Sequence, residues 1–176
     1  MHSLILGSTE SGKTTLARKI ARKLSESGHE ILVLDPIFSG DAETWSTRDV
    51  YTSPENFLPV FWNTHNRFVF IDESDSVMRR AINLELVQTG MRGRHNGHSV
   101  TYITHFRTDL LPALRSQCSQ LFLFSTGSDD AYALAQEWRC SELEKAPDLA
   151  QGQFYWVRRF WHGKSGQFQK LSAFVD

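Results

Sequence analysis

An α/β fold with a mainly parallel central sheet, helices on both faces and a C-terminal β-hairpin is what this sequence predicts, on three observations. Five short apolar runs recur along the chain, amphipathic helical patterns separate them, and after Pro147 the pattern becomes two alternating segments around a glycine-containing turn. The runs are Ser3 to Leu6, Glu30 to Leu34, Arg67 to Asp72, Ser99 to Thr104 and Gln120 to Ser125. Each is short and apolar throughout, as expected of strands buried on both faces.

The first helix is expected over Lys13 to Ser27, where Leu16, Ile20 and Leu24 recur every four residues and Gly28 offers a stop. Arg18, Lys19, Arg22 and Lys23 fall on its other faces and read as a solvated surface. A second helix is expected from about Ser76 to Met91, with Val77, Ala81, Leu84 and Met91 on one side and Ser74 or Asp75 as cap. A third follows the strand ending at Thr104, capped by Thr108 or Asp109, with Pro112 in the first turn where its missing N–H costs little. Asp129 to Arg139 reads as a fourth. The segments GQFYWVRRF and KLSAFV, joined through HGKSGQ, read as the hairpin.

A chain of 176 residues, 22% charged and 40% apolar, has the profile of a globular protein and is expected to form a single domain over 1–176. Its formal charge of −1 excludes coating of nucleic acid by bulk electrostatics, so contact with a polyanion would have to be local. Cys118 and Cys140 lack metal-ligand spacing and read as reduced thiols. No run is long enough to span a bilayer, and the first residues lack the basic-then-apolar pattern of a secretory signal. A cytoplasmic protein without an integral membrane segment is therefore expected.

The chemistry concentrates first in Gly7, Ser8, Thr9, Glu10, Ser11, Gly12, Lys13 and Thr14, with Thr15 next to them. They satisfy G-x-x-x-x-G-K-[ST], the phosphate-binding loop or Walker A motif, between an expected strand and an expected helix. The glycines allow successive N–H groups to turn inward on a phosphate chain, and the helix start adds its positive dipole end. Lys13 supplies a charge to the β and γ phosphates, and the Thr14 hydroxyl supplies an oxygen to Mg²⁺. A nucleoside triphosphate, ATP or GTP, is the expected occupant; no base-recognition motif separates the two.

Asp72 and Glu73 end the run FVFI, at the carboxyl end of a buried strand where open α/β sheets bind ligands. Asp72 can support magnesium through water, and Glu73 can act as general base or position the attacking water. The same acids could instead cap a helix. Asp35, also at a strand end, ranks lower because proline follows it. Thr104 and His105 end the run SVTYITH and would reach the γ-phosphate if that strand lies between the loop strand and the acidic one. His105 is equally compatible with a surface histidine beside Phe106. Arg92, Arg94 and Arg115 read either as surface or salt-bridge arginines or, as a set, as candidates for insertion into a neighbouring subunit's site.

Read in order, GSTESGKTT, FVFIDES and GMRGRHNGHSVTYITHFRTDLLPALRSQCSQLFLF resemble the FtsK and HerA branch of P-loop ATPases, the DNA-pumping motors. Within that branch they resemble the small genome-packaging ATPases of membrane-containing icosahedral viruses, over nearly the whole chain. The resemblance implies a three-layer, RecA/ASCE-like P-loop NTPase fold with the sensor strand between the two nucleotide-binding strands. It implies Lys13 and Thr14 as ligands of phosphate and magnesium, Asp72 as metal support, Glu73 as catalytic carboxylate and His105 in the sensor position, where members commonly have glutamine. Arg92 or Arg94 would be the arginine acting in trans, with Arg115 as alternative.

The family further implies ATP hydrolysis, a ring with double-stranded DNA held weakly and transiently through its centre, and a capsid or portal-vertex protein as partner. Its setting would be the host cytoplasm and the packaging vertex of the virion. The chain starts directly at the loop strand, so DNA contact is expected from core loops, from the basic hairpin residues Arg158, Arg159, Lys164 and Lys170, or from another protein. Those hairpin charges also read as a solvated edge that discourages strand pairing. Two other readings share the loop: a nucleotide-gated phage assembly ATPase that moves nothing, and a small nucleotide kinase.

Overall fold

The computed structural model describes residues 1–40, 45–73, 84–159 and 167–172. Eight strands form one sheet: β1 (His2–Leu6), β2 (Ile31–Leu34), β3 (Val50–Tyr51), β4 (Phe68–Ile71), β5 (Ser99–Thr104), β6 (Cys118–Leu123), β7 (Gln153–Arg158) and β8 (Gln167–Ser172). Their spatial order is β3-β2-β4-β5-β1-β6-β7-β8. The first six in that order run parallel, and β7 and β8 add an antiparallel hairpin on the edge of β6. The expected α/β architecture is the observed one, with β5 between the loop strand β1 and the acidic strand β4.

Both faces of the sheet are apolar because successive side chains point to opposite sides. Leu4, Leu6, Leu32, Leu34, Val69, Ile71, Val100 and Tyr102 enter one core. Ile5, Ile31, Val33, Phe70 and Ile103, the alternate positions, enter the other. Helix α1 (Lys13–Glu26) covers the second core through Leu16, Ala17 and Ala21. Its buried face is turned toward the small alanines; Ile20 and Leu24 pack at its margin. Gly28, at φ 83°, ends this segment as expected.

The first core is covered by α2 (Pro54–Asn63), α3 (Leu84–Arg92), α4 (Pro112–Gln117) and α5 (Ser128–Trp138). The expected second helix corresponds to α3 in its last part; residues 76–83 and the Ser74 or Asp75 cap lie outside the described residues. Its buried side consists of Leu86, Thr89 and Gly90, while Leu84 and Met91 are exposed, a rotation from the expected face. The reason is Tyr102, whose buried hydroxyl meets Thr89 Oγ1 at 2.8 Å and so draws a polar residue inward. Pro112 is in the first turn of α4 as expected, but Leu111 is the cap and Thr108 and Asp109 belong to a preceding 3₁₀ turn, Arg107–Asp109.

Helix α2 was not expected. Pro59 lies inside it and reads as a breaker, yet Phe57, Leu58 and Phe61 bury fully enough to outweigh one lost backbone bond. A 3₁₀ segment, Ser141–Asp148, leads from α5 toward β7. Cys118 and Cys140 are both free thiols.

Candidate active site

The site forms where three parallel strands end together. Register pairs Leu6 with Thr104 and Ile71 with Tyr102, so the residues just beyond β1, β4 and β5 emerge on one edge. The loop after β1 turns sharply: Ser8 N–H donates to Ser125 O at 2.8 Å and Ser11 N–H to Ser8 O at 3.3 Å. Gly7 has no space for a side chain, since a Cβ there would sit 2.5 Å from Phe124 Cβ and 3.1 Å from Ser125 O. Gly12 adopts φ 109° at the start of α1, a conformation that favours glycine. No side chain caps α1, which leaves the first-turn amides directed at the loop's concavity.

Lys13 is buried, and its ammonium donates to Ser8 O at 2.8 Å and to His105 Nδ1 at 3.3 Å. On the other side of the imidazole, His105 Nε2 lies 3.1 Å and 3.2 Å from the two carboxylate oxygens of Glu73. These contacts assign the tautomer: Nδ1 accepts from Lys13 and Nε2–H donates to Glu73. Lys13, His105 and Glu73 thus form one polar chain joining the loop, β5 and β4. Thr9 Oγ1 lies 3.5 Å from the same Nδ1.

Asp72 stands beside this chain. Its Oδ2 accepts from Thr14 Oγ1 at 3.0 Å and its Oδ1 from Glu73 N–H at 2.9 Å. Burial pushes its carboxyl up to about 6, with the nearby charges of Asp35 and Glu73 adding to the rise and the two hydrogen bonds opposing it. A hydroxyl and a buried carboxylate, both hard oxygen donors next to the phosphate loop, fit Mg²⁺, whose charge would relieve that desolvation. Asp35 is oriented elsewhere: Trp45 Nε1–H donates to it at 2.8 Å and Ile37 N–H at 3.2 Å, and Arg18 lies 3.8 Å away.

The structure therefore brings Lys13, Thr14, Asp72, Glu73 and His105 together, and leaves Arg92 and Arg94 at the opposite end of β5. Arg92 is exposed, its guanidinium 6.0 Å from the Trp62 ring centre, and Arg94 is exposed within the 3₁₀ turn Gly93–Asn96. Arg115 is buried and held by Glu137 at 3.1 Å and by the carbonyls of Arg107 and Leu110, the pattern of an intramolecular structural arginine.

Two supporting features were missed in the sequence. Asp109 Oδ2 accepts from Phe106 N–H at 2.9 Å and fixes the turn that presents His105; the spacing F-R-T-D carries that signal. Gln151 Nε2 donates to Glu10 O at 3.0 Å and Gly152 N–H to Ser11 O at 2.9 Å, tying the turn before β7 to the loop tip. Nothing local in the sequence marks that contact, which spans some 140 residues.

The fold is the three-layer, RecA/ASCE-like arrangement of the P-loop NTPases. Comparison with known proteins narrows the likeness. Residues 1–37 match the family model described as the central domain of helicase HerA. The fold is similar to the DNA-packaging ATPase B204 of Sulfolobus turreted icosahedral virus, with TM-score 0.72 and 19% identity over 89% of this chain and 91% of that one. It is similar to the genome-packaging NTPase B204 of Sulfolobus turreted icosahedral virus 2 bound to ATPγS, with TM-score 0.72 and 14% identity over 94% and 95%. The cytoplasmic domain of the type VII secretion ATPase EccC of Thermomonospora curvata gives TM-score 0.67 and 14% identity over 99% of this chain and 24% of that one. No curated protein matches the chain. In fold, the chain is similar to these viral genome-packaging ATPases. Among the described residues no helix is long and apolar enough to cross a membrane.

Proposed function

We propose that this protein is a Mg²⁺-dependent ATPase that drives double-stranded DNA into a viral capsid as part of a ring. The observation that carries the reading is the polar chain Lys13, His105 and Glu73, which links a phosphate cradle to a carboxylate on the neighbouring strand. Likeness to packaging ATPases in fold supports the choice of DNA as cargo.

In this reading the loop from Gly7 to Thr15 binds the triphosphate through its amides. Lys13 exchanges Ser8 O and His105 for the β and γ phosphates. Thr14 and Asp72 hold magnesium, which when bound offsets phosphate charge and orients the terminal phosphoryl group. Glu73 accepts a proton from water as the water oxygen bonds to the γ-phosphorus and the bond to the ADP oxygen breaks. His105, whose Nδ1 loses its donor when Lys13 turns to phosphate, reports occupancy to Glu73 through Nε2–H. Arg92 or Arg94 of an adjacent subunit supplies charge to the transition state. A capsid or portal-vertex protein anchors the ring, and DNA is gripped only weakly between steps.

The test is ATP hydrolysis with and without double-stranded DNA, paired with a mass measurement in solution. DNA-stimulated turnover by an oligomer supports the motor. Turnover indifferent to DNA favours an assembly ATPase, and phosphate transfer that fails with water as sole acceptor favours a kinase.

A further inference from the structure

We propose that an apolar groove between α1 and the C-terminal hairpin receives the Phe106 and Tyr132 surface of a second copy of this chain, head to tail. The groove lies on the α1 face of the sheet and has a volume of about 660 Å³. Helix α1 packs on that face but leaves the strip over β6 and β7 open. Ile20, Leu24, Phe68, Phe122 and Trp156 line the opening, each half-buried and so still presenting apolar surface to water. Leu171 on β8 closes the far side and is 41% exposed.

Charge indicates what covers the groove. Lys19 and Lys23 follow the groove-lining Leu16 and Ile20 by three positions, so they stand on the same side of α1 and give the groove a basic rim. Among the described residues no carboxylate lines it. The complementary occupant is an apolar surface flanked by acid.

The chain carries such a surface itself. Tyr132 of α5 is 60% exposed and Phe106, in the turn after β5, is 57% exposed, both large aromatics of the kind that anchor interfaces. Asp129 precedes Tyr132 by three positions on the same side of α5, is exposed, and lines one cleft with Phe106. Because α5 packs on the first core and α1 on the second, groove and aromatic surface face opposite ways. One copy cannot fill its own groove, and two copies joined this way leave a groove and an aromatic surface unused, so the contact propagates to a closed ring or a filament. Phe106 directly follows His105, so each contact sets a neighbour against the nucleotide end of the sheet. The inference deepens the ring reading above and rests on it for the claim that copies associate; it needs neither ATP hydrolysis nor DNA.

The experiment measures the mass of the full chain in solution against concentration, with and without MgATP, and checks by circular dichroism that each variant is folded. The wild type is expected to associate. Lys23→Glu and Asp129→Lys, both at exposed positions, should each raise the dissociation constant by about tenfold or more, and Tyr132→Ala by at least as much. An equimolar mixture of the two charge variants should recover association, because the altered surfaces of the two chains match each other and the unaltered surfaces meet their native partners. An oligomer whose affinity is unchanged in folded Lys23→Glu and Tyr132→Ala overturns this contact and leaves the ring to another surface. Charge variants that dissociate and do not recover on mixing overturn the pairing of groove with α5. A chain that stays monomeric throughout overturns the inference and the ring together, and leaves the groove to a different partner.

Discussion

Glu73 holds φ 48°, in the left-handed region that side chains other than glycine seldom adopt, and from there its carboxylate meets His105. The backbone strain is held by Asp72, which accepts the Glu73 N–H. Glu73→Gln retains an amide oxygen for His105 Nε2–H but has no group able to take a proton from water. Nucleotide affinity should stay within about twofold while hydrolysis falls by about 10²- to 10⁴-fold; a variant turning over at the wild-type rate would exclude Glu73 as the water-activating group. Most of this site was legible in the chain, because Gly7 to Thr14 carry their chemistry in consecutive residues and Asp72 and Glu73 end an unmistakable apolar run. The bridge through His105 was legible only as a condition, since it requires β5 to lie between β1 and β4, a non-local fact that no spacing encodes.

At the level of elements, the five core strands could be read because each is apolar on both faces, whereas helix faces could not. In α3 the exposed Leu84 and Met91 mimic a core stripe, and the true contact runs through Thr89 and Gly90 against Tyr102. A Cβ at Gly90 would stand 2.5 Å from Leu114 Cδ2 and 2.7 Å from the Tyr102 hydroxyl. The leucine tip can yield, but the tyrosine is tied to Thr89 and surrounded by core. Gly90→Ala gains about 1 kcal/mol of helix propensity and loses about 1–3 kcal/mol to overpacking. A net loss is expected, read as a lower denaturant midpoint at unchanged slope; a raised midpoint would mean that α3 shifts without cost. Helix α2 was illegible for the converse reason: Pro59 is a local stop signal that Phe57 and Phe61 override by burial.

For the whole molecule, charge at the two ends of the sheet sets opposite responses to pH. His2 and His98 lie at the N-terminal end, each accepting a backbone N–H through Nδ1, and burial lowers both below the ordinary imidazole range. Between the His2 value of about 4 and the unfolded value near 6.5 the unfolded chain binds more protons, so stability is complete above pH 6.5 and is lost as pH falls. Asp72, raised to about 6, binds more protons when folded and tilts the same window the other way. His2→Asn keeps an acceptor for Val100 N–H and should remove on the order of 3 kcal/mol of pH dependence between pH 4 and 6.5; an unchanged slope in denaturation would exclude His2 as its source.

The same end of the sheet carries Arg92 and Arg94, which cannot serve the nucleotide site of their own chain because β5 separates them from it. If a ring inserts one of them into the neighbouring site, subunits lacking the arginine retain Glu73, and Glu73→Gln subunits retain the arginine. In an equal mixture about a quarter of the sites combine an intact Glu73 with an arginine-bearing neighbour, so activity should return to about a quarter of wild type from two inactive parents. Rescue with Arg92→Ala and not with Arg94→Ala would assign the trans role to Arg92 and leave Arg94 outside the reaction. No rescue at any ratio with either would remove the arginine from the reaction and leave both residues to their own surface.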